Sequence, residues 1–555
     1  MPLFSPFPEL QIPKVDILTY LFPPGETQSR DPLWIDSEDT KISLSPVQLL
    51  QWVKRLAFGL ERSGTKKGEV VMIYTPNHIF VPVAYLGIVG AGYAFCGANP
   101  IYTLPEMVHQ LKTTGAQIIL SHPDVIRTAV AAAKEVGISK SRIFQFSDQE
   151  NQTLDGVKDW RHLVGTPLEG EQYFWPKLSP EESLNTVATI NYSSGTTGLP
   201  KGVCVSHHNL IANIEQTIFM KYVYKPFTRD NRPPERWLGF LPLYHAYGQL
   251  WTILIALKLR VPVYIMKKFV YEDFLQAIQS FKITNLQVAP PILVMLSKRP
   301  ETANYDISSV KEVLCGAAPL SKELQNDVSK HFNLQVNQGW GMTEVTCGAL
   351  HVPGGIYDDS GSVGQLDPNT ECVLRDDSGK EVETGQPGEM YIRGPQVCLR
   401  YWRNDQATKE SLSDDKWLKT GDVAICDKRG FFWIVDRKKE LIKVNALQVS
   451  PAELEAVLLE HEHIADAAVV GITLHNEEWP RAYVAIQDAA KGKVTPGEIQ
   501  EWIKARVAKH KWLVGGVTFV DEIPKLASGK IQRKVMREWS KADAKILEKE
   551  VKSRF

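Results

Sequence analysis

The chain has 555 residues, of which 43% are hydrophobic and 23% are charged, and its formal net charge is −1. This length predicts more than one domain, and the composition is typical of a globular protein rather than a disordered or fibrous one. The near-neutral charge argues against a nucleic acid as the main partner, because binding a polyanion needs an excess of basic residues. The seven cysteines are widely spaced, without a Cys-x-x-Cys pair, which predicts reduced and mostly buried thiols in an intracellular protein.

Strands and helices alternate through the first third of the chain. Ser45-Pro46 predicts a helix start, and leucines follow it at helical spacing. The apolar run 69–74 predicts a strand that is buried on both faces. A strand, a helix and a further strand are then predicted at 116–120, 128–137 and 142–146. This alternation predicts parallel sheets covered by helices.

Residues 79–98 are uncharged over a length that could cross a membrane. Pro82 and the glycines at 87, 90, 92 and 97 interrupt this run. We therefore predict a buried helix, a glycine turn and a buried strand here, and no membrane span.

The pattern changes in the second half of the chain. Residues 370–436 are predicted to form short strands and turns, and a small lysine-rich α+β unit begins at Arg437. Two domains are predicted, residues 1–436 and residues 437–555. The predicted fold class is α/β, with a large N-terminal domain of helix-covered sheets, a β-rich subdomain and a small mobile α+β C-terminal domain that suits a lid over an anionic ligand.

The segment YSSGTTGLPKGV, residues 192–203, lies between a predicted strand at 187–192 and a predicted helix at 207–222. Its glycines allow backbone N–H groups to turn toward an anion, and its hydroxyls and Lys201 add further donors. The spacing differs from that of the P-loop ATPases and of the dinucleotide-binding fingerprint. We predict a phosphate-binding loop of a different kind, with a plain linker as the alternative.

Seven motifs that include this loop occur in one order between about residues 45 and 540, and together they resemble the adenylate-forming superfamily of acyl-CoA synthetases, adenylation domains and beetle luciferases. Within that superfamily the chain most resembles the 4-coumarate–CoA ligase branch. The other six motifs are LPLYHAYG (241–248), CGAAPLSKEL (315–324), QGWGMTE (338–344), KTGDVA (419–424), IVDRKKELIKVNALQVSPAELE (434–455) and PKLASGKIQRK (524–534).

The resemblance implies a two-step reaction on a small carboxylic acid. The acid is first joined to ATP with Mg²⁺, which gives an acyl-adenylate and pyrophosphate, and the acyl group then passes to the thiol of coenzyme A. In the first step a carboxylate approaches an anionic phosphorus, so catalysis would come from positioning and charge neutralisation. The implied oligomeric state is a monomer or a homodimer.

The resemblance also implies individual roles in ATP binding and catalysis. Lys530 would bridge the acyl carboxylate and the α-phosphate once domain closure about Lys439 brings it in, and Glu344 would bind Mg²⁺. Asp422 and Arg437 would hold the ribose. The full set implied for ATP is Ser193, Ser194, Gly195, Thr196, Thr197, Lys201, Gln338, Gly339, Trp340, Thr343, Asp422, Arg437, Lys439, Lys443 and Lys530.

The remaining implied residues bind the other two substrates. The acid pocket would be lined by His245, Tyr247, Lys311, Ala317 and Gly341, and His245 joins Lys530, Thr343 and Glu344 as a catalytic residue. Trp251 is predicted to shorten this pocket, so a phenylacetate, benzoate, cinnamate or medium-chain fatty acid fits as well as 4-coumarate. The residues implied for CoA are Lys268, Asn445, Ala446 and Gln448. At Asn445 and Ala446 the family often has lysine and glycine.

Three functions stay open at this point. An acid–CoA ligase is preferred over an adenylating enzyme that loads a carrier protein or oxidises its acyl group as luciferase does. A nucleotide-binding scaffold without catalysis is the third alternative. The final residues Ser553-Arg554-Phe555 resemble the Ser-Lys-Leu class of peroxisomal signals, so a peroxisomal address is expected as an alternative to a cytoplasmic one.

Overall fold

A computed structural model of the chain describes residues 3–193, 200–444, 447–474, 477–526 and 529–552, with side chains described as far as residue 547. The segment of the predicted phosphate-binding loop at 194–199 therefore lies outside the described residues, as do Asn445, Ala446 and the last three residues.

The first large sheet places the predicted buried strands side by side. Val70–Tyr74 is fully buried and pairs in parallel with Ala94–Ala98 on one side and Ile118–Ser121 on the other, as predicted. Among the described residues its eight strands are, in spatial order, Arg400–Tyr401, Lys201–Ser206, Val187–Ser193, Ala94–Ala98, Val70–Tyr74, Ile118–Ser121, Ile143–Gln145 and Lys158–Asp159.

The second large sheet carries the strands from which much of the site is built. Its central strands run parallel, and Glu312–Cys315 lies directly beside Gln335–Trp340. In the described chain its nine strands are, in spatial order, Gln365–Leu366, Leu350–His351, Gln335–Trp340, Glu312–Cys315, Asn285–Val288, Trp237–Gly239, Val263–Ile265, Trp34–Asp36 and Ser43–Leu44.

Helices cover these two sheets, and one of them begins as the sequence predicts. Pro46–Arg62 is capped by Ser45, whose hydroxyl accepts from the Gln48 backbone N–H while the Gln48 side chain accepts from the Ser45 N–H. The other helices before residue 437 are Ile17–Leu21, Val81–Gly90, Leu104–Thr114, Ile126–Glu135, Pro167–Glu171, Pro180–Asn185, His207–Tyr222, Ala246–Gly248, the π-helix Gln249–Ile255, Ala256–Leu259, Tyr271–Phe281, Pro290–Lys298, Lys322–Phe332 and Asp405–Ser411.

The second half of the chain adds an antiparallel sheet and a small α+β unit, which confirms the predicted α/β class. The antiparallel sheet consists of Leu3–Phe4, Glu371–Arg375, Gly388–Arg393, Leu418–Cys426 and Phe432–Arg437. The small unit has a separate apolar core, and its elements are Ile442–Val444, Leu447–Val449, Pro451–Leu459, Ile464–Leu474, Glu477–Ile486, Pro496–Lys504, Val517–Val520 and Arg533–Lys552. A domain boundary between residues 436 and 437 stays a prediction.

The small unit docks on the large one through a lysine. Lys298, at the end of helix Pro290–Lys298, donates to the carbonyl oxygens of Leu459 at 2.5 Å and Ile464 at 2.7 Å. Leu459 is the last residue of helix Pro451–Leu459, where a cation is favoured by the helix dipole, and Ile464 begins the strand that follows. Burial lowers the pKa of Lys298 to about 8.

The apolar run at 79–98 forms helix Val81–Gly90 and strand Ala94–Ala98, and both are completely buried. The predicted helix, turn and strand are therefore confirmed. Among the described residues, no helix combines the length and the apolar character that a membrane crossing needs. All seven cysteines are unpaired, and six of them are buried, in agreement with the sequence prediction.

The predicted strand–loop–helix context of the phosphate-binding segment is wrong in one respect. A second strand, Lys201–Ser206, follows the loop and pairs antiparallel with Val187–Ser193, so that Lys201 lies opposite Ser193. Helix His207–Tyr222 begins only after this strand, where Ser206 caps it. Residues 202–206 are buried in the sheet, which explains why this short apolar segment extends the hairpin.

A buried ionic cluster joins helix His207–Tyr222 to the second sheet. Glu312 Oε2 lies 3.2 Å from Lys221 Nζ and 2.8 Å from Lys225 Nζ. Burial raises the pKa of Glu312, but the charges of the two lysines outweigh it and lower this pKa from 4.5 to about 2. The charged carboxylate is therefore a stabilising group of the folded state.

We expect Glu312→Gln to lower the free energy of unfolding by about 3 kcal/mol at pH 7. Because the pKa of Glu312 is lower in the folded state, its contribution is complete above about pH 4.5 and is lost as the pH falls toward 2. The difference between wild type and variant in urea unfolding should therefore shrink over this range. Glu371→Gln, which breaks the more exposed pair with Arg393, is the control and should cost less than about 1 kcal/mol. A difference that does not change with pH would contradict this role of Glu312.

Candidate active site

A cavity lies where the second sheet meets the turn that carries Lys530. It holds about 540 Å³ of empty space, part of which is open to solvent. Its lining residues are His245, Ala246, Tyr247, Trp251, Leu314, Cys315, Gly316, Ala317, Gly339, Trp340, Gly341, Met342, Thr343, Cys347, Gly348, His351 and Lys530.

The cavity wall is built at the carboxyl ends of two parallel strands, the usual position of ligand sites in α/β sheets. Strand Glu312–Cys315 continues into Gly316 and Ala317, and strand Gln335–Trp340 continues into Gly341. Ala317 has φ +71°, a strained value for a residue with a side chain, as is common at functional sites. A Cβ added to Gly341 would lie 1.7 Å from the Cys347 carbonyl oxygen, so only glycine fits there.

The structure brings four of the five predicted acid-pocket residues together in this wall: His245, Tyr247, Ala317 and Gly341. The prediction for Lys311 is wrong. Its side chain is exposed, and Nζ donates to the Ser308 carbonyl oxygen at 2.8 Å. The reason is its position, because Lys311 precedes strand Glu312–Cys315 whereas the cavity lies at the carboxyl end of that strand.

His245 from the large unit and Lys530 from the small unit line the same cavity. His245 Nδ1 accepts from the Tyr247 backbone N–H at 3.3 Å. Burial, with a contribution from the charge of Lys530, lowers the pKa of His245 to about 4, so its imidazole is neutral near pH 7. Burial likewise lowers the pKa of Lys530 to about 8, and the charge of Arg437 acts in the same direction. Lys530 therefore remains mostly protonated at pH 7.

Asp422 joins the cavity wall to the last strand of the antiparallel sheet. Trp340 Nε1 donates to Asp422 Oδ2 at 2.8 Å, and Arg437 Nε lies 3.4 Å from Asp422 Oδ1. This second oxygen is buried and accepts no hydrogen bond from any described residue. Burial raises the pKa of Asp422, and Arg437 opposes that effect. A buried acceptor of this kind needs a donor, and a ribose hydroxyl would supply one.

Tyr401 connects two predicted site residues and was missed in the sequence. Its hydroxyl donates to Glu344 Oε1 at 2.8 Å, and Lys201 Nζ lies 5.4 Å from the centre of its ring. Tyr401 thus contacts both the predicted phosphate lysine, near its ring, and the predicted metal ligand, at its hydroxyl. Tyr401 lies in none of the recognised motifs, so no local sequence signal identifies it.

Glu344 fits a magnesium ion of the kind that nucleotides bring with them. Its carboxylate is buried, and Tyr401 occupies one oxygen. No group of three or more metal-ligating side chains occurs among the described residues. Mg²⁺ is commonly held by one or two carboxylates together with substrate phosphates and water, so a single carboxylate beside a nucleotide site is sufficient.

Several predicted residues lie outside the cavity. The Gln338 side chain is buried and donates to Gln325 Oε1 at 2.7 Å. Lys443 and Gln448 face each other across a hairpin of the small unit, and both are exposed. Lys268 and Lys439 are exposed as well. Ser193 ends its strand at the edge of the undescribed loop, and Ser194, Gly195, Thr196 and Thr197 within that loop are not described.

Comparisons with known proteins agree with this geometry. Residues 26–402 match the family described as AMP-binding enzyme, and residues 453–530 match the AMP-binding enzyme C-terminal domain. The chain is 35% identical over 548 residues to Phenylacetyl-CoA ligase epaB of Aspergillus niger, covering 97% of this chain and 98% of that protein. It is 34% identical to Probable 4-coumarate–CoA ligase 1 of Dictyostelium discoideum, covering 88% and 89% of the two chains.

Solved structures show the same fold at lower sequence identity. ATP-bound MatB from Rhodopseudomonas palustris superposes with a TM-score of 0.80 at 24% identity, covering 95% of this chain and 99% of the other. The anthranilate CoA ligase AuaEII in complex with anthranoyl-AMP gives a TM-score of 0.82 at 20% identity, covering 95% and 97%. With the two family matches and the near full-length relatives, these likenesses lead to one assignment: the chain belongs to the AMP-binding enzyme family.

Proposed function

We propose that the protein is an ATP-dependent, AMP-forming acid–CoA ligase. The observation that carries this proposal is the position of Lys530, which lines one cavity together with the predicted acid-pocket wall and with Trp340 and Thr343. An acid held against that wall would present its carboxylate to a cation on the small domain. The relatives named phenylacetyl-CoA ligase and 4-coumarate–CoA ligase support CoA as the acyl acceptor.

The first step is the attack of a carboxylate oxygen on the α-phosphorus of ATP. The bond between this phosphorus and the bridging oxygen breaks, and pyrophosphate leaves. Lys530 neutralises the negative charge that both reactants share, and Thr343 offers a hydroxyl donor in the same cavity. Asp422 Oδ1 accepts from a ribose hydroxyl and so fixes the nucleotide. Glu344 would hold Mg²⁺, which would supply charge neutralisation at the phosphates.

The second step is the attack of the CoA thiol on the acyl carbonyl carbon. The bond from that carbon to the phosphate oxygen breaks, AMP leaves, and the thiol proton passes to solvent. The predicted CoA residue Gln448 lies on an exposed hairpin of the small domain and not in the cavity. Rotation of the small domain after adenylation would withdraw Lys530 and bring this hairpin over the acyl-adenylate.

The proposal is tested with purified protein and a panel of acids that includes phenylacetate, benzoate, cinnamate, 4-coumarate and hexanoate. Acid-dependent exchange of pyrophosphate into ATP measures the first step, and CoA-dependent AMP release measures the second. We expect both with at least one acid. Exchange without any response to CoA would favour the carrier-protein or oxidative alternative. A complete lack of exchange with every acid would favour the non-catalytic scaffold.

Trp251 is proposed to limit the length of the acid tail. It is buried, lines the cavity and packs with its ring centre 5.5 Å from that of Trp237. We expect Trp251→Ala to extend activity toward longer or bulkier acids, because the deleted ring leaves space at the wall. The substitution should cost about 3–5 kcal/mol of stability, so Trp251→Phe is the milder companion.

The length profile is measured as kcat/KM over a series of straight-chain and aryl acids, with thermal melting of each variant. Trp237→Phe is the control, since Trp237 contacts Trp251 but does not line the cavity. A folded, active Trp251 variant with the wild-type length profile would show that Trp251 does not limit the tail.

A further inference from the structure

A histidine–aspartate pair lies in the cavity wall outside all of the recognised motifs. His351 ends the short strand Leu350–His351, and Asp367 follows the neighbouring strand Gln365–Leu366. His351 Nδ1 lies 2.8 Å from Asp367 Oδ1 and 3.1 Å from Oδ2. The Asp367 side chain is completely buried, whereas the His351 ring also lines the cavity.

Two glycines make room for this imidazole. A Cβ added to Gly348 would lie 2.6 Å from His351 Cε1, and one added to Gly339 would lie 3.2 Å from His351 Cδ2. The backbone of the wall therefore approaches the ring closely from two sides. A side chain at either glycine would displace the ring, so the wall is shaped around His351.

The contact with Asp367 fixes which nitrogen of the ring carries the proton. A buried carboxylate is an acceptor, so Nδ1 is the donor of this hydrogen bond, and Nε2 is an acceptor whenever the ring is neutral. In the part of the chain that the structure describes, Nε2 has no hydrogen-bond partner. The pair thus presents an oriented and unused acceptor from a wall that also contains the apolar side chains of Leu314 and Met342.

Four other polar groups of the wall are accounted for by the proposed reaction or by the fold. Lys530 and Thr343 serve the carboxylate and phosphate end of the substrate. The Tyr247 hydroxyl donates to the Leu314 carbonyl oxygen at 3.0 Å, and Trp340 Nε1 donates to Asp422. His351 is therefore available to the tail of the acid. The glycines at 316, 339, 341 and 348 leave flat backbone surface in the cavity wall, which suits a planar ring.

We propose that His351, oriented by Asp367, is a specificity-determining residue whose Nε2 accepts a hydrogen bond from a hydroxyl group on the tail of an aromatic acid substrate. This inference rests on the proposed acid–CoA ligase function and narrows its substrate class to hydroxylated aromatic acids. A substrate without the hydroxyl leaves the acceptor unpaired in a buried site, which is the basis on which such sites discriminate.

The test compares pairs of acids that differ by one hydroxyl: phenylacetate and its 3- and 4-hydroxy forms, cinnamate and its 3- and 4-hydroxy forms, and benzoate and its hydroxy forms. Acid-dependent ATP–pyrophosphate exchange gives kcat and KM for each acid. We expect wild type to prefer the hydroxylated member of at least one pair by about 10- to 100-fold. His351→Leu should abolish that preference by raising KM for the hydroxylated acid.

Two further variants separate substrate recognition from a purely structural role. The amide of His351→Asn can still donate to Asp367, but this shorter side chain does not reach as far. The variant should therefore also lose the preference, and it serves as the test if His351→Leu fails to fold. Asp367→Asn removes the fixed acceptor for Nδ1, and its amide can donate to Nδ1 instead. Nε2 then carries the proton, and the preference should shift from the hydroxylated acid to its methoxy analogue, which can only accept.

The outcomes are distinct. Wild type without a preference in any pair, or a folded His351 variant that keeps the wild-type preference, would overturn the assignment of His351. Loss of all activity in the two His351 variants, together with an unchanged preference ratio in an active Asp367→Asn protein, would identify a structural pair only and would overturn the assignment as well. Absence of exchange with every acid in wild type is a different result, because it would reject the ligase function itself.

Discussion

Lys530→Ala is expected to slow acyl-adenylate formation by about 10²–10³-fold, or about 2.7–4 kcal/mol of barrier. The reason is that the ammonium group lines the cavity in which the carboxylate and the α-phosphate must meet, and no other small-domain side chain lines it in the described chain. The variant should still convert synthetic acyl-adenylate and CoA to the thioester, since Lys530 leaves the cavity for that step. ATP–pyrophosphate exchange measures the first reaction, and AMP release from supplied acyl-adenylate measures the second.

Lys525→Ala is the matched control for this variant. Lys525 belongs to the same segment of the small domain, but its Nζ pairs with Asp466 at 2.7 Å. The Lys525→Ala variant should therefore form acyl-adenylate at nearly the wild-type rate. Equal loss of both half-reactions in a folded Lys530→Ala protein would argue against alternation of the small domain.

The Lys530 pKa of about 8 also predicts that kcat/KM for exchange falls above pH 8 in wild type, because the lysine then loses its charge.

Gly341→Ala is expected to reduce acid activation by more than about 10²-fold. The added Cβ would lie 1.7 Å from the Cys347 carbonyl oxygen and 2.8 Å from the Gly348 Cα, and both are backbone atoms that cannot rotate away. The two segments of the wall must separate, which displaces the acid relative to Lys530. The effect should appear in both KM for the acid and kcat, whereas ATP binding, measured by titration calorimetry, should be less affected.

Gly316→Ala is the counterpart in the same wall. Its added Cβ would meet the Tyr247 ring at 3.7 Å, an ordinary contact distance, so activity should change only a few-fold. Thermal melting of both variants shows whether either loses its fold. Similar, mild effects of the two substitutions would mean that the wall at Gly341 is more compliant than its backbone contacts indicate.

Much of this fold could be predicted from local sequence patterns, because the residues that form each pattern lie close together in the chain. The capped helix Pro46–Arg62 and the buried strand Val70–Tyr74 follow directly from a serine cap and an apolar run. The resemblance also named residues that the structure places together, such as His245 and Lys530. The strand Lys201–Ser206 was missed because a short apolar segment before a helix does not distinguish an added strand from a helix start.

The contacts that sequence reasoning missed join residues far apart in the chain. Tyr401 reaches Glu344 across 57 positions, and Lys298 reaches Leu459 across 161. His351 and Asp367 are only 16 apart, but they pair because two short strands align them. The prediction for Lys311 failed for a related reason. The resemblance matches residues by their order in the sequence, whereas the direction of the strand decides which of them lie at the cavity. Such pairings depend on tertiary structure and have no local signature.

The docking contact of Lys298 has a consequence for how the two domains tolerate sequence change. Within the described residues, every acceptor of its ammonium group is a main-chain carbonyl, at Leu459, His461 and Ile464. Substitutions in the small domain leave these oxygens in place as long as the backbone around the helix end is unchanged. The small-domain half of the contact therefore does not depend on the identity of its side chains. The contact is therefore specified by one side chain, that of Lys298 in the large domain. In a saturation screen of adenylation activity, position 298 should therefore be restrictive, whereas position 461, whose side chain is half-buried, should accept many residues.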